Sequence, residues 1–124
     1  MILGIGIDIV HISRMQRWQD NPKLLNRYFH SSELKDAEKR GDGAIHSLAA
    51  RFAAKEAYGK ALGTGLRDMR LMDIRIENDS AGKPLIQLFG NAQRQFAAVG
   101  GKGLYVSLTH ESNNAIAVVV IEGD

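Results

Sequence analysis

The order of periodicities along the chain predicts an α+β fold: a mostly antiparallel sheet packed against one long helix and several short helices. Three observations carry this. A strand pattern opens the chain at residues 4–10, helical patterns follow as far as residue 62, and from residue 73 alternating patterns return in pairs around short polar turns.

Each element has a local cause. In "GIGIDIV" (4–10), Ile5, Ile7 and Ile9 share one face while Gly4, Gly6 and Asp8 share the other. Glycine weakens a strand unless something must approach its backbone, so this bare strip asks for a close neighbour, with a carboxylate at its end. Residues 12–19 set Ile12, Met15 and Trp18 against Arg14, Arg17 and Gln19, a helical mix. Asn21-Pro22 breaks that helix, and Pro22 starts a second short one. Ser31 is expected to cap a third, with Glu33 in its first turn. Residues 43–62 read as the longest helix, stopped by Gly63 and Gly65. "DIRIEN" (73–78) and "LIQLF" (85–89) are strands around the turn "DSAGKP", and residues 90–99 are helical. "LYVSLTH" (104–110) then pairs with "AIAVVVI" (115–121) across "ESNN".

The 124 residues suit one domain, 1–124, and a content of 44% hydrophobic with 24% charged residues is that of a globular chain. With no cysteine, neither a disulfide framework nor a thiolate metal site can form. No basic segment leads into an apolar one at the N-terminus, and the run at 115–121 is too short to span a bilayer, so a cytoplasmic protein without membrane contact is expected. The pI of about 9.0 raises nucleic-acid binding, but Trp18, Tyr28, Tyr58 and Tyr105 are scattered without a stacking pattern, which argues against it. Between residues 14 and 27, Arg14, Arg17, Lys23 and Arg27 face one acid, Asp20. That excess is either a solvated surface or a docking face for an acidic partner.

Two carboxylates stand where carboxylates are costly. On the long helix Ile45, Leu48, Ala49 and Phe52 form the stripe expected to face the core, and Glu56 falls almost in line with it. Glu56 then needs a cation: an i,i+4 salt bridge to Lys60, or a metal. Asp8 either caps the helix that follows it or joins Glu56 across the strand–helix contact. Two oxygen ligands without histidine or thiol suit magnesium, which fills its remaining positions with water and substrate phosphate. Cations nearby, such as Arg51 and Lys60, would then hold phosphate oxygens. Other phosphate motifs fail: Ile9 stands where G-x-G-x-x-G needs its third glycine, and "GKA" (59–61) lacks the hydroxyl residue of a P-loop.

"GIGIDIV", "RFAAKEAYGKALGTG" (51–65), "DIRIENDSAGKP" (73–84) and "SLTH" (107–110) together resemble the holo-acyl-carrier-protein synthases, the small bacterial type of 4′-phosphopantetheinyl transferase, in the family's order and over its usual length. The resemblance implies that family's fold. It also implies magnesium held by Asp8 and Glu56 beside the pyrophosphate of coenzyme A, with the strand's glycines leaving room for substrate. The reaction implied moves phosphopantetheine onto a serine of an apo acyl carrier protein and releases adenosine bisphosphate, with Lys60 neutralising the departing phosphate. Either Glu56 or a water takes the serine proton. A homotrimer with sites between subunits is implied as well.

By strand parity His110 goes with Val106 and Leu108, as a core or hydrogen-bonded histidine. The resemblance adds that Ser107, Thr109 and His110 serve a neighbour's coenzyme A, and that Gly63, primarily a helix stop, also lines that site. Arg14, Arg17 and Arg27 become the docking face for the acidic carrier. His11, His30 and His46 receive no role. The alternative reading of the same acids is a metal-dependent phosphohydrolase acting on a nucleotide or on the coenzyme A pyrophosphate.

Overall fold

The computed structural model describes residues 1–124. Strand β1 (Ile2–His11) leads into three short helices, α1 (Ile12–Trp18), α2 (Pro22–Tyr28) and α3 (Ser31–Glu38), and then into the long α4 (Ala44–Leu62). A hairpin of β2 (Ile74–Asn78) and β3 (Pro84–Leu88), helix α5 (Gly90–Ala98), and the hairpin of β4 (Gly103–His110) and β5 (Asn114–Glu122) complete the chain. The main sheet has the order β1-β5-β4 and is antiparallel throughout; β2 and β3 form a separate two-stranded sheet. The predicted α+β architecture is therefore the observed one.

Register sorts the main sheet into two faces. One carries the rows Ile5–Val120–Tyr105, Ile7–Val118–Ser107 and Ile9–Ile116–Thr109; the other carries Gly6–Val119–Val106, Asp8–Ala117–Leu108 and Val10–Ala115–His110. Helix α4 lies on the second face. A Cβ on Gly6 would land on the carbonyl oxygen of Ala57, and one on Gly4 on that of Ala61. The close neighbour that the glycines admit is thus the helix backbone. This corrects the expectation that they leave room for substrate: α4 already fills that space. The first face stays open, with Ile5, Ile7 and Ile9 60%, 59% and 58% exposed.

Helix α4 is buried well beyond the expected stripe. Leu48, Ala49 and Phe52 are in the core and Ile45 is half-buried, but Ala53, Ala54, Ala57 and Tyr58 are also at 0% exposure. The reason is that a second layer covers the helix opposite the sheet. There Lys55 donates to Glu33 Oε1 at 2.8 Å, and both side chains are fully buried. Burial lowers the Lys55 ammonium to about 8, against the pull of Glu33. Glu33 also closes a capping box with His30, whose Nδ1 accepts from the Ser32 backbone N–H at 3.2 Å. His30, not Ser31, is therefore the cap of α3. Asp8 does not cap α1, whose N-cap position is His11 and has no side-chain cap.

Gly6→Ala should lower the thermal midpoint by about 10 °C or more, because a methyl group there must push α4 off the sheet. Gly43→Ala, at an ordinary φ of −84° with only the Arg40 Cβ at 3.7 Å, should be neutral or slightly stabilising. Calorimetry of both variants checks the contact, and equal midpoints would refute it.

Candidate functional site

The edge where α4 crosses β1 gathers the charges. Asp8 projects from the α4-facing side of β1, with its side chain 18% exposed. Lys60, on the last turns of α4, donates to Asp8 Oδ1 at 2.9 Å and to the Ile7 carbonyl at 3.0 Å. Glu56 stands one turn before Lys60 and is half-buried. Burial raises its pKa and the neighbouring Asp8 raises it further, against opposition from Arg14 and Lys60. The expected Glu56–Lys60 salt bridge is not made. Lys60 instead gains a carboxylate and a strand carbonyl together, a better pairing than a single exposed i,i+4 contact.

Arg14, on α1, closes this edge. Its guanidinium lies 5.1 Å from the Trp18 ring centroid and 4.9 Å from that of Phe52. Trp18, Tyr28 and Phe52 pack with centroids 5.2 to 5.8 Å apart, a cluster that joins α1, α2 and α4 and that their spacing in the sequence does not signal. Arg17 and Arg27 are exposed on the same two short helices, with Arg27 5.9 Å from the Tyr28 ring. Of the basic excess at residues 14–27, Arg14 acts on the Glu56 carboxyl, and Arg17, Lys23 and Arg27 are exposed on the same two helices.

Asp8 and Glu56 are the two carboxylates of this edge. No group of three His, Cys, Asp or Glu side chains converges in the chain. Two carboxylates, close enough for Asp8 to raise the pKa of Glu56, fit a hard divalent cation that completes its shell from water and substrate oxygens.

The remaining predicted residues lie elsewhere. Arg51 is about 140° around α4 from Glu56. It is 4% exposed and donates to the Ile76 carbonyl at 3.2 Å, to Asp36 at 2.6 Å and to Ser47. It lines a cleft of about 710 Å³ together with Arg40, His46, Pro84 and His110. The His46 and His110 rings sit 5.4 Å apart there. His46 thus shares a cleft with His110; the two are remote in sequence, and no local spacing signals it. Ser107 and Thr109 are on the opposite face of β4 from His110, as strand alternation requires. Gly63 ends α4 in the left-handed region (φ 85°), as expected for a helix stop. It also lines a separate cleft of about 450 Å³ with Thr64, Arg67 and Val99. Within one chain, then, Asp8, Glu56, Lys60 and Arg14 come together, Arg51 and His110 share another cleft, and Ser107 and Thr109 face away from both.

Comparison with known proteins is consistent along the whole chain. The 4′-phosphopantetheinyl transferase superfamily matches residues 4–119. A holo-[acyl-carrier-protein] synthase of Treponema denticola is 53% identical over 123 residues, covering 99% of this chain and 100% of its own. Among solved structures, the holo-[acyl-carrier-protein] synthase of Neisseria meningitidis superposes with a TM-score of 0.89 at 34% identity, covering 98% of this chain and 99% of its own. That of Helicobacter pylori, in complex with coenzyme A, gives 0.82 at 33% identity and covers 95% and 99%.

The raised Glu56 carboxyl has a consequence for stability. Its folded-state pKa exceeds its ordinary value of 4.5, so the folded state keeps a proton that the unfolded chain has lost. The stabilisation is full below the ordinary value and disappears as pH rises through the folded value. Without divalent cations, Glu56→Gln should therefore melt no lower than the unsubstituted chain at pH 7, with its relative advantage shrinking towards pH 4. Calorimetry at the two pH values tests this; a variant that melts lower at pH 7 would mean that Arg14 and Lys60 outweigh burial and Asp8.

Proposed function

Because this chain belongs to the 4′-phosphopantetheinyl transferase superfamily, we propose that it moves the 4′-phosphopantetheine arm of coenzyme A onto a serine of an apo acyl carrier protein, with magnesium, in the cytoplasm. The convergence of Asp8, Glu56 and Lys60 where α4 meets β1 carries the proposal. The serine oxygen bonds to the phosphorus that bears the pantetheine, and the bond from that phosphorus to the bridging oxygen breaks. Holo carrier protein and adenosine 3′,5′-bisphosphate are the products.

Asp8 and Glu56 would hold the magnesium ion. When bound, it supplies charge neutralisation at the pyrophosphate. Lys60, its side chain half exposed beside Asp8, meets the oxygens of the departing phosphate. The serine proton goes to Glu56 or to water beside it. The chain needs no nucleophile of its own, since the carrier brings the hydroxyl. Arg14, Arg17 and Arg27 offer the acidic carrier a cationic face next to the carboxylates, which favours encounter and register.

A homotrimer with sites at its interfaces belongs to the same reading. The open sheet face, with Ile5, Ile7 and Ile9 beside Val118, Val120 and Tyr105, is an apolar patch of the kind that monomers rarely leave exposed. Covering it by a neighbour would bury Ser107 and Thr109 at the boundary. The cleft with Arg51, His46 and His110 then serves the coenzyme A of an adjacent subunit, which agrees with its separation from Asp8 and Glu56 inside one chain.

Mass spectrometry of an apo carrier protein incubated with the chain, coenzyme A and magnesium should show the added arm, and Asp8→Ala should reduce the rate at least about 100-fold. Release of adenosine bisphosphate from coenzyme A without any carrier would instead favour a phosphohydrolase. The interface is tested by co-refolding Asp8→Ala with His110→Ala. Cyclic contacts make some sites that take Asp8 from one subunit and His110 from the next, so mixed trimers should regain activity that neither variant has alone. Confirmed mixed trimers no more active than the sum of the two would put both residues in one subunit's site.

A further inference from the structure

The sheet-facing side of α4 is made of Ala53, Ala57 and Ala61, set against Gly4, Gly6 and the buried Ala117. The backbone contact with β1 fixes how closely the helix lies, and Val119 and Ile121 of β5 are the larger side chains buried on the same face of the sheet. The opposite side of α4 is built differently. Lys55, fully buried, has an acceptor for each ammonium proton on a different segment: Glu33 Oε1 of α3 at 2.8 Å, the Leu71 carbonyl in the turn before β2 at 2.8 Å, and the Ile74 carbonyl of β2 at 2.7 Å. The Phe29 ring closes the pocket with its centroid 5.2 Å from the ammonium. Glu33 is held in turn by the backbone N–H groups of His30 at 3.0 Å and Ile76 at 3.1 Å. The hydrogen bonds of this cluster include none to Asp8, Glu56 or Lys60, and the proposed chemistry does not use it.

We propose that Lys55, through its buried pairing with Glu33, is a positioning residue that fixes the rotation of α4 and thereby aims Glu56 at Asp8. The inference rests on the reading of Asp8 and Glu56 as the site beside the coenzyme A pyrophosphate. Lys55 and Glu56 are adjacent, so any rotation released at one is carried to the other. At a helix radius of about 5–6 Å including side chains, a turn of about 20° displaces a carboxylate by about 2 Å, enough to uncouple it from a shared ion. A buried pair of this kind adds little net stability over apolar residues of equal size, so its effect lies in the single arrangement that it permits. Lys55→Met alone would strand the Glu33 carboxylate, which is why the test removes both charges.

The test compares the unsubstituted chain with Glu33→Gln/Lys55→Met, measuring manganese(II) binding by electron paramagnetic resonance with saturating coenzyme A, transfer kinetics and melting. The double variant should melt within a few degrees of the unsubstituted chain yet bind manganese at least about tenfold more weakly, with a similar fall in kcat. Its KM for the carrier protein should stay within about twofold, since the carrier docks on α1 and α2. Glu33→Gln alone keeps the ammonium and its two carbonyl acceptors; it should shift manganese binding and kcat in the same direction by about threefold, and it decides the question if the double variant does not fold. A folded variant with unchanged manganese affinity overturns the proposal. So does a parallel loss of melting temperature, carrier affinity and kcat, which would be general loosening. An unsubstituted chain that neither transfers the arm nor binds manganese overturns the functional reading itself, and the control shows this before any variant is compared.

Discussion

The carbonyl oxygens of Ala57 and Ala61 occupy the places where Cβ atoms on Gly6 and Gly4 would be, and the geometry of the site follows from that contact. Helix and strand meet backbone to backbone, which brings a short carboxylate on β1 within 2.9 Å of a lysine on α4. A residue as small as alanine at position 6 would separate the layers and move Asp8 away from Glu56 and Lys60. The helix approaches this face most closely along β1, where Gly4 and Gly6 carry no side chains, while Ala115, Ala117, Val119 and Ile121 of β5 are buried on the same face.

The helix gains its direction from its other side. Lys55 and Arg51, one turn apart, reach α3, β2 and the turn before it through hydrogen bonds of 2.6 to 3.2 Å. Sheet contact and buried charge act on different degrees of freedom. The alanine side sets distance, and the cation side ties the helix to the second layer. The open face of the sheet stands apart from both. Ile5, Ile7 and Ile9 gain little burial within the chain, so this face is an exposed apolar patch.

Much of this is legible in the sequence because its causes are local. The glycines of β1 signal a close neighbour, the long helix signals its own ends, and Glu56 stands out as a charge near an apolar stripe. The differences come from partners remote in sequence. Helical spacing pairs Lys60 with Glu56 because it sees only the helix, while Asp8 lies 52 positions away. Nothing near Lys55 in the chain marks it as a buried cation, because its partner, Glu33, sits on another helix. The glycine strip suggests room for substrate because sequence gives the need for close approach without saying what approaches. The parity of β4 by itself separates Ser107 and Thr109 from His110, and the structure keeps them on opposite faces.

The most direct measurement is a crystal structure of the chain with coenzyme A and magnesium. The predicted result is one ion coordinated by both Asp8 and Glu56, at the magnesium–oxygen distance of about 2.1 Å, with α4 still in contact with Gly4 and Gly6. An ion held by only one of the two carboxylates, or a coenzyme A lodged between α4 and β1, would contradict it.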